Sequence, residues 1–217
     1  MLQIKIFEFN AFQVNTIIIY DETKECVIID AACYHESEQN KLRKFIESES
    51  LKPVKLINTH CHIDHILGCN FISDQYGLDL GIHEAGKLFI DVAAEHALDF
   101  GFTIDPIQSP LYFLGEDSLI KFGTTTLKVL YTPGHADGSI CFLSEENNLV
   151  IVGDVLFRES IGRTDLPTGN FELLKKSIHE KLFSLPNDFT VIPGHGPKTT
   201  IGFERENNPF VGIVNFD

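Results

Sequence analysis

The spacing of apolar residues changes period repeatedly along this chain, and each change marks out a short element. Residues 2–9 alternate as a half-buried strand does, and Val14–Tyr20 is an apolar run. Residues 26–30 read as a third strand after a turn at 21–25. Residues 37–49 carry a helical period with Leu42, Phe45 and Ile46 on one face. Pro53 stops that helix, and 54–58 is a short buried strand. Residues 64–76 suit a helix closed by Gly77, 78–82 a strand, and 84–97 a helix with Leu88, Val92 and Ala93 on its apolar side. The stretch 99–115 has no clear period and is expected to be a loop.

The second half repeats the strand-rich style. Residues 118–122 and Thr125–Tyr131 flank Gly123 as a hairpin would, and 140–143 pairs with 149–152 across 144–148. Residues 171–185 form an amphipathic helix with Leu174, Ile178 and Leu182 at a spacing of four, and 189–193 is the last clear strand. Strands and helices in both halves predict two packed sheets with helices outside.

Bulk properties narrow the class. A chain of 217 residues, 43% hydrophobic and 22% charged, suits one soluble globular domain, 1–217, with a real core. A formal charge of −14 argues against a nucleic-acid-binding face; Lys41, Arg43, Lys44, Lys175 and Lys176 read as exposed helix positions. No apolar stretch approaches the ~20 residues of a membrane span. The N-terminus, Met-Leu-Gln-Ile-Lys-Ile-Phe-Glu, lacks the basic start and apolar run of a signal peptide, so a cytoplasmic location is expected. Five unpatterned cysteines fit free thiols in a reducing compartment.

The chemistry concentrates at Thr-His-Cys-His-Ile-Asp-His, residues 59–65. Imidazole and carboxylate are good ligands for zinc and other first-row metals. Neither one helix face nor one strand face presents His60, His62, Asp64 and His65 together. A loop leaving a strand does: His60 and His62 point one way, while Asp64 and His65 enter the next helix aimed at a second position. A tetrahedral catalytic zinc takes three protein ligands and a water, so four donors here hint at two metals. Alternation points Cys61 away from the ligands and into packing. His35, His83, His96 and His179 read as packing or surface residues. Three later strand ends supply more donors: His135 in Thr-Pro-Gly-His-Ala-Asp-Gly-Ser (132–139), Asp154 in Val-Gly-Asp (152–154), and His195 in Ile-Pro-Gly-His-Gly-Pro (192–197).

With these residues in this order the chain resembles the metallo-β-lactamase-fold hydrolases over nearly its whole length. It looks most like the short glyoxalase II-type thioester hydrolases, on Gly-Arg-Thr-Asp-Leu-Pro (162–167), Pro-Gly-His-Gly-Pro-Lys-Thr-Thr (193–200), Glu204-Arg205 and Asn208-Pro209-Phe210. The resemblance implies an α+β fold, a four-layer αββα sandwich of two mixed sheets flanked by helices, with metals at one edge. It implies that His60, His62 and His135 hold one ion, that Asp64, His65 and His195 hold a second, and that Asp154 bridges them. The ions would be two divalent metals, zinc first, with iron or manganese as alternatives. A metal-bound hydroxide would attack the carbonyl of a small acyl-thioester, with Asp64 orienting it.

Around the ligands, Asp30 is expected to brace the site, although Ala31-Ala32 replace the Pro-Gly that often follows it in the family. Arg163 and Asp165 are expected to pair beneath the metals, with Asp165 orienting a ligand histidine. Thr59 is expected to cap the loop, and Gly134, Gly138, Gly153, Gly194 and Gly196 to permit tight backbone geometry. The runner-up is a persulfide dioxygenase using one iron at His60, His62, His135 and Asp154; Leu166-Pro167 and Gly196-Pro197 depart from its pattern. Class-B β-lactamases fill the Asp154 position differently. A lactonase or other esterase shares the ligands, and a non-catalytic metal-stabilised module is disfavoured by the complete set. Full-length glyoxalase II carries an extra C-terminal helical region with basic residues for glutathione. This chain is read as lacking it, which leaves the thiol carrier and the oligomeric state open.

Overall fold

The computed structural model describes residues 2–213. The first sheet contains β1 (Gln3–Phe9), β2 (Val14–Tyr20), β3 (Glu25–Ile29), β4 (Lys52–Ile57), β5 (Leu80–Ile82) and β6 (Leu111–Phe113), in that spatial order. Its first three strands are antiparallel, and β3 to β6 run parallel. The second half forms β7 (Leu119–Phe122), β8 (Thr125–Tyr131), β9 (Ile140–Ser144) and β10 (Leu149–Gly153). A small ribbon follows, β11 (Leu156–Phe157) with β12 (Ser160–Ile161), then β13 (Thr190–Pro193) and β14 (Thr199–Thr200). The second sheet is ordered β14-β13-β10-β9-β8-β7, with β10 and β13 parallel and the other pairs antiparallel.

Alternation along each strand builds three layers of core. Ile17, Ile19, Val27, Ile29 and Ile57 face Ile120, Leu127, Val129, Phe142 and Ile151 between the sheets. The other face of the first sheet, through Ile18, Ile28 and Leu56, meets α1 (Glu36–Ser48), α2 (Ile63–Ile66) and α3 (Cys69–Tyr76). The second sheet's outer face, through Leu143, Val150 and Val191, meets α6 (Phe171–Ser177) and α7 (Ile201–Asn207); α4 (Lys87–Asp91) and α5 (Ala93–Asp99) join the first helical layer. The expected αββα sandwich is the observed one.

Several expected elements differ in informative ways. The helix over 64–76 is two, broken at Leu67–Gly68. Gly68 packs so closely that a Cβ would lie 2.5 Å from Cys33 Sγ and 2.9 Å from the Ala31 carbonyl, and its N–H donates to that carbonyl at 2.7 Å. The helix over 84–97 is a 3-10 turn followed by α4 and α5, broken at Val92. The buried stripe lies one residue round from the expected one: Leu88 and Val92 are exposed, and Phe89, Ile90, Ala93 and Ala97 are buried at helical spacing. Pro53 lies inside β4, opposite a register shift between Cys26 and Val27 that absorbs its missing N–H. The 171–185 helix ends in a wider π-type turn over 178–182, yet Leu174, Ile178 and Leu182 are all buried as expected. The 99–115 stretch is not all loop, since β6 closes the edge of the first sheet. Among the described residues no helix is long and apolar enough to cross a membrane.

Candidate metal centre

The ends of four strands converge at one edge of the sandwich. There β2 bridges to His195, Asn15 N–H donates to the Gly194 carbonyl at 2.7 Å, and Ile140 N–H donates to the Thr59 carbonyl at 2.8 Å. Leaving β4, the chain is pinned by buried Asn58, whose amide donates to the carbonyls of His65 at 2.9 Å and His60 at 3.4 Å. Those bonds curl 60–65 back on itself, and His62 becomes the residue before α2 with Asp64 in its first turn.

All seven expected ligands meet here. His60, His62 and His135 form one group of donors and Asp64, His65 and His195 another, each with its donor atoms within 4.8 Å of one another. Asp154 sits between them: its carboxylate is 3.4 Å from His65 Nε2, 3.5 Å from His195 Nε2 and 3.7 Å from His135 Nε2. Asp64 Oδ2 is 3.3 Å from His195 Nε2 and 3.8 Å from His65 Nε2. Buried Cys61 joins neither group, and its Sγ packs towards Gly86.

The tautomers are set by what lies behind each ring. His135 Nδ1 donates to the Arg163 carbonyl at 2.7 Å and His195 Nδ1 to the Phe12 carbonyl at 2.9 Å. His65 Nδ1 donates to Asp30 Oδ2 at 3.0 Å. The Thr59 hydroxyl donates to Asp30 Oδ2 at 2.7 Å, so its oxygen is left to accept from His60 Nδ1 at 3.2 Å. With one proton held on Nδ1 in all four, Nε2 is the atom each ring can turn to a metal once it is free of a proton. The buried Nε2 atoms of His60 and His135 have no hydrogen-bond partner. Two lone pairs left unpaired in a buried site are costly, and a cation satisfies both. The donor set fits divalent metal ions.

Electrostatics agree. Burial lowers His60 and His135 and takes His62 down to about 3, so these rings are neutral and ready to bind. Burial also opposes charge on His65 and His195, but the carboxylates win: Asp154, Asp64 and Asp30 raise His65 well above the free imidazole value, and Asp64 and Asp154 raise His195. Asp154 and Asp64 resist burial in turn and are held low by the same histidines. Protons on that side of the site stand in for positive charge that a metal would carry.

Asp30 lies directly behind His65 and Thr59. It is buried at a left-handed backbone position, φ 52°, and accepts from Thr59 N–H at 2.7 Å as well as from the Thr59 hydroxyl and His65. The expectation for Arg163 and Asp165 is corrected. They do pair, at 2.8 Å, but both are exposed at the mouth of the site, and it is the Arg163 carbonyl that meets a histidine of the cluster, His135. Four of the five expected turn glycines have positive φ, while Gly194 serves by close approach: a Cβ there would strike the Asp154 carboxylate and lie 2.8 Å from His65 Cε1. His96, expected at the surface or in packing, lines the cavity of about 220 Å³ above the ligands. Phe12, Phe89 and Phe100 join it, and no sequence motif marked them.

Comparisons with known proteins give the family. The model of the metallo-beta-lactamase superfamily matches residues 9–195. Hydroxyacylglutathione hydrolase GloC of Haemophilus influenzae is 36% identical over 212 residues, spanning 97% of this chain and 98% of that protein. The crystal structure of the B3 metallo-beta-lactamase BLEG-1 superposes with a TM-score of 0.88 at 33% identity, covering 96% of this chain and 99% of that one. That of TTHA1623 in a di-iron-bound form gives 0.85 at 32% identity, covering 95% and 99%. Sandwich, donor order and relatives lead to one assignment: the chain belongs to the metallo-beta-lactamase superfamily.

Proposed function

We infer that the protein is a hydrolase of acyl-thioesters that works with two divalent metal ions. The observation that carries this reading is the position of Asp154 between two complete donor groups, within 3.7 Å of ligands from each. His60, His62 and His135 would hold one ion, Asp64, His65 and His195 the other, and Asp154 both. A single-iron persulfide dioxygenase would not need the second group. Imidazole and carboxylate donors suit zinc, iron and manganese. Zinc is the first assignment, and the di-iron form of one relative adds iron. Bound there, the ions would supply a water acidic enough to ionise near neutral pH and a Lewis acid for the acyl carbonyl.

The chain's own groups do the remaining work. Asp64 lines the cavity and is placed to orient the attacking water. Asp30, Thr59 and the carbonyls of Phe12 and Arg163 keep four imidazoles in the metal-binding tautomer. A thiolate leaves with little proton assistance, so the site needs no strong acid. The hydroxyacylglutathione hydrolase relative favours a thioester, and the relative described as a B3 metallo-beta-lactamase brings a lactam into the panel as the second reading. We assign the whole of 1–217 to one catalytic domain acting on a small molecule. The test is metal content per chain by elemental mass spectrometry on protein purified without added metal, followed by hydrolysis of acyl-thioesters, lactones and a chromogenic β-lactam. About two ions with thioester turnover is the expected result. One iron with oxygen uptake, or lactam turnover without thioester turnover, would overturn it.

A further inference from the structure

The cavity above the donor groups has a largely apolar wall. Apart from the ligands themselves, its wall is Phe12, Ile63, Phe89, Phe100, Leu166 and Pro167, with His96 and Arg163 as the only other polar side chains. The aromatic rings are fixed against their surroundings. Phe89 is buried with its ring edge-on to His62 at 5.2 Å, and Phe12 meets Phe100 edge-on at 6.0 Å and Phe102 at 5.8 Å. Phe12 and Phe100 nevertheless remain 41% exposed, and both line the cavity. Half-exposed rings beside a polar centre gain by being covered with apolar surface, at roughly 25 cal/mol per Å².

The same wall disfavours a polar acyl group. A hydroxyl on the carbon next to the carbonyl would need a partner, and apart from Arg163, which is paired with Asp165, His96 is the one polar side chain outside the donor groups that lines the cavity. Arg163 does not offer a free cation for an acidic carrier, because Asp165 holds its guanidinium through both Nε and a terminal nitrogen. The volume, about 220 Å³, is below the roughly 300 Å³ at which pockets for drug-sized ligands begin, so only part of a substrate enters. We propose that the enclosed part is an apolar acyl group of about the size of one ring or a branched chain, and that the thiol carrier lies outside in solvent. This rests on the thioester hydrolase reading above and specifies its substrate class.

The experiment compares acetyl, lactoyl, isovaleryl and benzoyl thioesters of one small neutral thiol on the wild type, Phe12→Ala and Phe100→Ala, both rings being half exposed and outside the buried core. Isovaleryl or benzoyl should exceed lactoyl in kcat/KM by about tenfold or more, the discrimination an apolar pocket gives. The benzoyl-to-acetyl ratio should fall by about tenfold in Phe100→Ala. A preference for lactoyl, or a ratio unmoved in both variants, would overturn the proposal while leaving the hydrolase reading intact. A second readout needs no turnover: fluorine NMR of 4-fluorobenzyl 2-hydroxyethyl thioether, a neutral probe, with the protein as purified. Line broadening that is lost in Phe100→Ala supports the apolar cavity even if no thioester is hydrolysed, in which case it is the hydrolase reading that fails. No broadening in the wild type overturns the cavity.

Discussion

Asp30→Asn is the sharpest perturbation of this site, because it keeps shape and backbone while reversing one hydrogen bond. Asn tolerates the left-handed region that Asp30 occupies, so the change adds no backbone strain. One side-chain oxygen must stay opposite the Thr59 N–H, which donates at 2.7 Å and has no alternative role. The new amide then replaces Oδ2, where His65 Nδ1–H and the Thr59 hydroxyl both donate. Thr59 can rotate its hydrogen away, but His65 must move its proton to Nε2, the atom that faces Asp154 and His195. That nitrogen no longer offers a lone pair to the second ion. The expected loss is about 10- to 100-fold in affinity for one ion of the two. Replacing a charged acceptor under two buried donors also costs about 1–3 kcal/mol of stability. The assay is chelator competition with elemental analysis, alongside urea unfolding of the metal-loaded and metal-free protein. Asp30→Asn protein holding two ions with wild-type affinity would refute the tautomer argument. A loss of both ions together would show instead that the loop had moved as a whole.

Three further outcomes follow from the same geometry. Gly194→Ala should keep the fold, read by circular dichroism, and reduce bound metal to one ion or fewer, since its Cβ displaces the Asp154 carboxylate; retention of two ions would contradict this. In the metal-free protein, His60, His62 and His135 are lowered from 6.5, so their contribution is present above about 6.5 and lost as pH falls, towards about 3 for His62. His65 and His195 are raised, so theirs is present below about 6.5 and lost as pH rises through their folded values. The metal-free thermal midpoint should therefore peak near pH 6.5, and a midpoint climbing steadily to pH 8.5 would count against these assignments. Burial pushes the Cys26, Cys33 and Cys141 thiols up to about 12, and raises Cys61 and Cys69 as well, so none of the five should react with a thiol reagent at pH 8 before unfolding. Rapid modification of even one in the native protein would show that its layer opens.

The cluster of candidate donors was legible in the sequence because its chemistry lies in side chains at strand ends. Four donors within 60–65, and His135, Asp154 and His195 beside glycines, can hardly be explained by packing. Asp30 was legible as an acid ending a buried strand. The carbonyls of Phe12 and Arg163 were not, because every residue has a carbonyl and only the tertiary fold decides which one meets a histidine. Arg163 itself drew attention for its charge, yet it acts on His135 through its backbone. The apolar wall was hidden because 84–97 carries two apolar stripes at helical spacing: Leu88 and Val92, read as the inner face, are exposed, and Phe89, one residue on, is buried with Ala93 and Ala97. The short strands β6, β11, β12 and β14, of two or three residues each, carry too few positions to show an alternation.

The centre also ties together the two ends of the described chain. His65 and His195 are 130 residues apart, and Asn15, whose amide holds the carbonyls of Pro193 and Gly196, reaches across 181 residues. A chain emerging from a ribosome thus completes its first sheet long before it owns a full set of ligands. Closing so wide a loop is slow in entropic terms and comes last. Both donor groups are complete only after the segment that follows β13 has docked against the hairpin made first. Metal retention is therefore a readout of finished folding, and a chain truncated before residue 195 should bind neither tightly nor in the right ratio, however native its first half.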